Sequence, residues 1–151
     1  MAAIERNNLF MAEMTQEEIH AFLMESTRTG KLATVRADGR PHVAPIWFEM
    51  DGDDLIFTTW HETVKAANLT RDLRASLCVD DQVPPYSFVI VEGSVSISDD
   101  ADLRRIWTHK IARRYMGAGL ADQYGKRNNV EGELVLRLHP EKIIAQKNLA
   151  D

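Results

Sequence analysis

Cysteine is nearly absent. Cys78 is the only one in 151 residues, so the chain has no internal disulfide to draw on. That suits a reducing compartment, and the cytoplasm is the expected setting. Cys78 itself, in the β-forming stretch 75–79, is expected to be a small apolar core residue. Long apolar runs are missing as well: none approaches the roughly 18–20 residues needed to cross a bilayer. The opening MAAIERNNLFMAEM carries Glu5 and Arg6 where a secretory leader would be apolar, so neither a membrane span nor a signal peptide is expected. Positive charge is in deficit, with 18 Lys and Arg against 23 Asp and Glu and a formal net charge of −5. That disfavours a general nucleic-acid binder, whose affinity comes from neutralising phosphates. A chain of this length buries roughly 68–70% of its unfolded surface and needs no metal or disulfide staple. One domain over residues 15–151 is expected, preceded by an N-terminal arm over 1–14.

Several catalytic signatures are missing too. Glu92-Gly93-Ser94-Val95-Ser96 lacks the second glycine of a nucleophile elbow and lies inside a β-forming run. Gly117-Ala118-Gly119 follows a helical stretch and has no third glycine, so it is no dinucleotide fingerprint. His20, His42, His61, His109 and His139 are scattered without metal-ligand spacing, and no metal site is expected. His61-Glu62 starts like a zinc-protease motif, but position 65 is Lys. The acidic pairs Asp53-Asp54 and Asp80-Asp81 fall at turns, where solvation accounts for them. With no nucleophile, metal or acid–base pair in view, chemistry carried by a bound cofactor gains weight.

What is present alternates between strand and helix periods. Thr15-Gln16-Glu17-Glu18 is a capping box, followed by the apolar stripe Ile19, Phe22 and Leu23, with Gly30 as the expected stop. Strands are expected over 32–37 and 41–50, joined by a two-residue Asp38-Gly39 turn. A second turn over 51–54 leads to a strand over 55–59, and further strands are expected over 74–80 and 88–98. Asp99 or Asp100 caps a helix with the stripe Leu103, Ile106, Trp107, Ile111 and Tyr115. A Gly-containing loop then precedes a closing strand over 133–138 and 143–146, interrupted at Pro140. Six or seven antiparallel strands with few helices make a mostly β, α+β domain, and closure towards a barrel is the common way to remove sheet edges.

One stretch stands out. Thr58-Thr59-Trp60-His61 ends a strand in polar residues, and Thr63-Val64-Lys65-Ala66 starts a short helix. A polar strand end facing a helix N-terminus with a lysine in its first turn is a place for an anion. Read on their own, Thr63 is equally an N-cap and Lys65 equally a solvated lysine. Trp47 and Trp60 read as core or interface, and Trp107 as core.

A set of ordered motifs adds to this: the strand from Gly30, Asp38-Gly39-Arg40-Pro41, Pro45-x-Trp47, Thr58-Thr59, and Thr63-x-Lys65-x-x-Asn68-Leu69. Further on come Arg74-Ala75-Ser76, Pro84-Pro85-Tyr86, Val91-Glu92-Gly93, and Arg113-Arg114-Tyr115-Met116-Gly117. Over residues 15–146 the chain resembles the pyridoxamine 5′-phosphate oxidase-like split β-barrel flavoproteins, and within them the small F420-dependent reductases. The resemblance implies a homodimer with cofactors in grooves at the subunit interface. It implies that Thr58, Thr59, Thr63 and Lys65 hold a cofactor phosphate, with Asn68 nearby. Val43, Ala44, Pro45, Ile46 and Trp47 would lie along the ring, and Tyr86, Ser87 and Phe88 of the second subunit would close the groove.

FMN-holding oxidases of this group usually place Arg beside Lys at the phosphate. Here Val64 precedes Lys65, and the nearby arginine is Arg71. F420 instead carries a phosphodiester and an oligoglutamate tail, which a basic surface would suit. The segment 104–127 supplies Arg104, Arg105, Lys110, Arg113, Arg114, Lys126 and Arg127, opposed within it only by Asp122. The implied activity is hydride transfer from a deazaflavin to a planar unsaturated organic molecule, with Tyr86, His61 or water as proton source. FMN-dependent chemistry and cofactor or haem binding without turnover are the alternatives.

Overall fold

The structure, a computed structural model, describes residues 12–150. Most of the expected arm therefore lies outside the described residues; its end, Ala12–Glu13, is strand β1 and pairs with the last strand. The remaining elements are α1 (Gln16–Met24), β2 (Gly30–Val35), β3 (Pro41–Ile46), β4 (Glu49–Asp51), β5 (Asp54–Trp60) and α2 (Val64–Arg71). They continue with β6 (Arg74–Asp80), β7 (Phe88–Ser98), α3 (Ala101–Met116), α4 (Ala121–Asn128) and β8 (Glu133–Lys147). The strands form one antiparallel sheet in the order β3-β2-β6-β7-β8-β5-β4, with β1 added to β8. This is the expected mostly β, α+β split barrel, open at its β3 and β4 edges.

The period-2 patterns put one face of every long strand inside. Leu32, Leu55, Phe57, Leu77, Val79, Val89, Val91, Leu136 and Leu138 fill the barrel, closed by Phe22 and Leu23 of α1 and Leu69 of α2. Each fully buried side chain of this size contributes about 1.5–3 kcal/mol. On the outer face of β5 and β8, Ile56 and Val135 form a second cluster with Trp107 of α3.

Several boundaries differ from those the sequence suggests. The capping box is as read: the Glu18 N–H donates to Thr15 Oγ1 at 3.2 Å and the Thr15 N–H to Glu18 Oε1 at 3.3 Å. However, α1 stops at Met24, and Gly30 opens β2 instead of ending the helix. The β2–β3 connection is longer than a two-residue turn. The Arg36 N–H bonds Arg40 O and the Gly39 N–H bonds Arg36 O, both at 2.9 Å, leaving a three-residue loop. Cys78 is not in the core. It lies half-buried on the outer face of β6, because Leu77 and Val79 take the inward positions.

The expected stripe of α3 is also rotated. Trp107, Thr108, Ile111 and Ala112 are buried, while Leu103 and Ile106 are 39% and 37% exposed. Helix α4 was not anticipated, since its N-cap Leu120 offers no side-chain bond and Gly125 sits mid-helix. That glycine lies where α4 packs closely on α3: a Cβ there would lie 3.2 Å from His109 Cα. The acidic pairs are not simply solvated. Asp54 bonds Arg137 and His139, each at 3.1 Å; Asp80 meets Lys31 at 2.8 Å and Asp81 meets Arg28 at 3.3 Å.

Strand β8 is continuous through Pro140. The β5 ladder ends at Leu55↔Leu138, so at Pro140 only β7 pairs with β8, and there β8 carries a bulge, with Glu141 as the extra residue between Glu92↔Lys142 and Gly93↔Pro140. Gly93 is required there, because a Cβ would come within 1.9 Å of His139 O.

The expected strand over 41–50 is broken at Trp47-Phe48, and the break is clamped by α3. Arg114 donates to Phe48 O and Leu23 O, both at 2.7 Å, and to Ser26 O at 3.3 Å. The Tyr115 hydroxyl accepts from the Phe48 N–H at 3.2 Å and donates to Arg28 O at 2.8 Å. Trp47 stacks flat on Tyr115, with ring centroids 5.0 Å apart and planes 2° from parallel.

Gly93→Ala is expected to cost about 3 kcal/mol in urea unfolding, the upper end for an overpacked site. Gly119→Ala, where a Cβ meets nothing within 4 Å, should stay within about 0.5 kcal/mol. Arg114→Leu strands three carbonyls and should cost about 2–4 kcal/mol in the same measurement.

Candidate functional site

Along β5, residues alternate between the barrel interior and the outer face. Leu55, Phe57 and Thr59 point in; Ile56, Thr58 and Trp60 point out. On β8, Glu133 shares the outer face with Val135. Beyond the apolar Ile56–Val135–Trp107 cluster, the same face therefore presents Thr58 and Glu133. A cavity of about 250 Å³ opens there, lined by Pro45, Ile46, Trp47, Thr58, Lys65, Ile111, Asn128 and Glu133. Five of the expected cofactor residues thus meet in one place.

The cavity ends on α2. Thr63 is its N-cap, accepting from the Ala66 N–H at 3.3 Å, so the N–H groups of Val64 and Lys65 are left at the open helix end. Lys65 makes no ion pair within 4.0 Å among the described residues, and burial lowers its pKa against the raising effect of Glu133. Burial likewise raises the Glu133 carboxyl, outweighing the Thr58 hydroxyl beside it and the charges of Lys65 and Arg104. One desolvated cation and one desolvated anion therefore face the same small space. Such a pair, in a cavity, marks a candidate functional site.

The other expected residues divide. Thr59 is 4% exposed and turned away from Thr58; its hydroxyl lies 2.9 Å from Thr63 Oγ1, which in turn donates to Trp60 O at 3.0 Å. Both hydroxyls serve the β5–α2 turn. Asn68 is buried, donating to Thr34 Oγ1 at 3.0 Å and accepting from Arg71 at 3.2 Å, so it ties α2 to β2. Val43 and Ala44 lie on the edge strand β3, and Val43 is 66% exposed. Tyr86, Ser87 and Phe88 lie at the start of β7, where Phe88 pairs with Gln146, at the opposite end of the β7–β8 ladder from Val135. Within one chain they do not join the Lys65 cavity.

The basic segment is partly committed elsewhere. Arg114 belongs to the clamp, Arg105 pairs with Asp102, and Arg104 bonds Asn129 and lines a separate cleft with Asp99 and Glu131. Lys110 lies over the Trp107 ring and Arg127 over Tyr124. The structure also assembles a chain that sequence spacing hid: Ser96 Oγ is 3.1 Å from His139 Nε2, and His139 Nδ1 is 3.1 Å from Asp54. Asp54 is shared with Arg137 and Ser96 is mid-strand, so we read this chain as a tie between β7, β8 and β5.

The family model for pyridoxamine 5′-phosphate oxidase matches residues 15–147. The chain belongs to the pyridoxamine 5′-phosphate oxidase family. Among solved structures, a conserved hypothetical protein from Mycobacterium tuberculosis is 25% identical with a TM-score of 0.77, the match covering 88% of this chain and 84% of that one. A structure described as an F420 reductase is 27% identical with a TM-score of 0.65, over 82% of this chain and 94% of that one. The haem storage protein HutZ from Vibrio cholerae shares the fold at 21% identity and a TM-score of 0.71, over 90% of this chain and 98% of that one. Proteins similar to this family member thus include both a reductase and a haem-storage protein. Among the described residues no helix is long and apolar enough to cross a membrane, and no group of three or more His, Cys, Asp or Glu is placed to hold a metal ion.

Glu133, Asn128 and Ile111 were missed by sequence reasoning. The available signal was a charge at 133 on the same strand face as Val135. Burial raises the Glu133 pKa, so the ionised carboxylate is held less favourably in the folded chain than in the unfolded one. The ionised carboxylate then subtracts stability above the unfolded carboxyl range, and this loss disappears as pH falls below it. Glu133→Gln should therefore raise Tm by about 2–4 °C at about pH 7.5 and lose that gain near about pH 4, followed by thermal melts.

Proposed function

We propose that this protein is an F420-dependent oxidoreductase that holds its cofactor phosphate in the Lys65 cavity and acts as a cytoplasmic homodimer. The observation that carries this reading is Lys65 itself: a half-buried amine without an ion-pair partner among the described residues, beside Thr58 and an open helix N-terminus, next to Trp47 and the exposed edge of β3. Those groups fit a phosphodiester. Lys65 supplies the countercharge, the Thr58 hydroxyl and the Val64 and Lys65 N–H groups donate to phosphate oxygens, and the helix dipole adds to the attraction.

The cavity suits a phosphate and the chain attached to it. A tricyclic ring belongs outside, along Val43 to Trp47, where β3 has no neighbouring strand on its outer side. There Trp47 is held flat by Tyr115 and forms a rigid wall. Tyr86, which is 42% exposed, would come with Ser87 and Phe88 from a second copy to cover the ring and exclude water. Reduced F420, when bound, supplies a hydride to an electrophilic carbon of a planar unsaturated molecule. The chain's part is to fix ring and acceptor face to face.

The test is a fluorescence titration of the purified protein with F420 and, in parallel, with FMN. Micromolar or tighter F420 binding with weaker FMN binding is expected, together with hydride transfer from reduced F420 to enone or quinone acceptors. The opposite preference would move the protein to FMN chemistry. Lys65→Ala should weaken F420 binding about tenfold or more with the melting curve preserved; unchanged affinity would remove the phosphate assignment.

A further inference from the structure

The Lys65 cavity contains one cation and one anion, and its remaining lining residues, Pro45, Ile46, Trp47, Thr58, Ile111 and Asn128, carry no charge. Among the described residues no second cation lines the cavity with Lys65, although the charge of Arg104 reaches Glu133 from outside it. Val64 precedes it, Arg71 is engaged by Val35 O and Asn68 Oδ1, and Arg104 is held by Asn129 in the cleft shared with Asp99 and Glu131. Counting only the groups at the cavity itself, with Lys65 as one positive charge, Glu133 as one negative charge and the α2 N-terminus as about half a positive charge, the site offers a net of about +0.5, to which Arg104 adds from a greater distance.

Phosphate esters differ in what they demand of such a site. A phosphomonoester carries about −1.5 to −2 at neutral pH, whereas a phosphodiester carries a single negative charge. Every unmatched charge brought into a half-desolvated space is penalised. Building on the reading of this cavity as a phosphate site, we propose that Glu133 is a specificity residue: its carboxylate beside Lys65 makes the site accept a singly charged phosphodiester and reject a doubly charged phosphomonoester. Glu133 thereby separates F420-type from FMN-type ligands by charge, independently of the ring.

FMN and its monomethyl phosphate ester isolate this effect, because they share ring and ribityl chain and differ in phosphate charge. Flavin-fluorescence titrations of the wild type, Glu133→Gln and Glu133→Ala would measure both ligands at about pH 7.5, with melting curves to confirm folding. The wild type should bind the methyl ester about tenfold more tightly than FMN, and Glu133→Gln should reduce that ratio to about two- to threefold by strengthening FMN binding. Equal wild-type affinities, or a ratio unchanged in Glu133→Gln, would overturn the proposal. So would a ratio that responds only in Glu133→Ala, since that would assign the effect to space and not charge. A parallel F420 titration keeps the two readings apart. F420 binding with an unresponsive ester ratio removes the role of Glu133 alone; a responsive ratio without F420 binding removes the deazaflavin alone. Binding of none of the three by the wild type removes both.

Discussion

The Trp47-Phe48 break depends on two adjacent residues of α3, and the site depends on that break. A strand running unbroken from Pro41 would carry Trp47 on along the sheet edge. Instead the Phe48 N–H is satisfied by Tyr115 and its carbonyl by Arg114, so the chain leaves the ladder without stranding its polar groups. The same guanidinium reaches Leu23 O and Ser26 O, which ties the end of α1 to this corner. Its cation also lies 4.6 Å from the Phe48 ring centre. Trp47 is thereby held against Tyr115, where it can line the Lys65 cavity.

The cavity itself is a local departure from the packing rule that governs its surroundings. The outer face of β5 and β8 is apolar under α3, with Ile56, Val135 and Trp107 in contact. One step further along both strands the residues become Thr58 and Glu133, and the helix that closes the space presents Lys65. Two charges are held half out of water there, each shifted by burial away from its charged form. Such an arrangement weakens the fold slightly and strengthens electrostatic interaction with whatever enters. By contrast, Lys31–Asp80 and Arg137–Asp51 are ion pairs that join cation directly to carboxylate at 2.8 Å.

The sheet edges complete this arrangement. β3 and β4 are the two ends of the strand order, and β3 carries Val43 and Pro45 outward beside the cavity. An exposed edge with apolar side chains is ordinarily an association hazard. On our reading this edge is where a planar cofactor and a second copy of the chain meet, which makes the edge part of the function.

Much of this was legible in the order of residues. The capping box at Thr15, strands β6 and β7, the N-cap at Thr63 and the lysine in the first turn of α2 all follow from local period and helix-end chemistry, which act over a few residues. Motif order likewise pointed to the family. What the sequence could not show were relations set at long range. Thr58 and Thr59 read as a pair, yet they occupy opposite faces once β5 is packed, so only Thr58 reaches the cavity. Arg114 read as part of a basic surface, yet carbonyls from α1 and from the β3–β4 break consume it. Glu133 read as the start of a strand, yet the β5–β8 register places it with Thr58 and Lys65. The amino-acid order by itself determined most of the strands, their alternating inward faces and the N-caps of α1 and α2. Only the tertiary structure decided which side chains share that space, because strand register and helix docking depend on contacts between residues far apart in the chain.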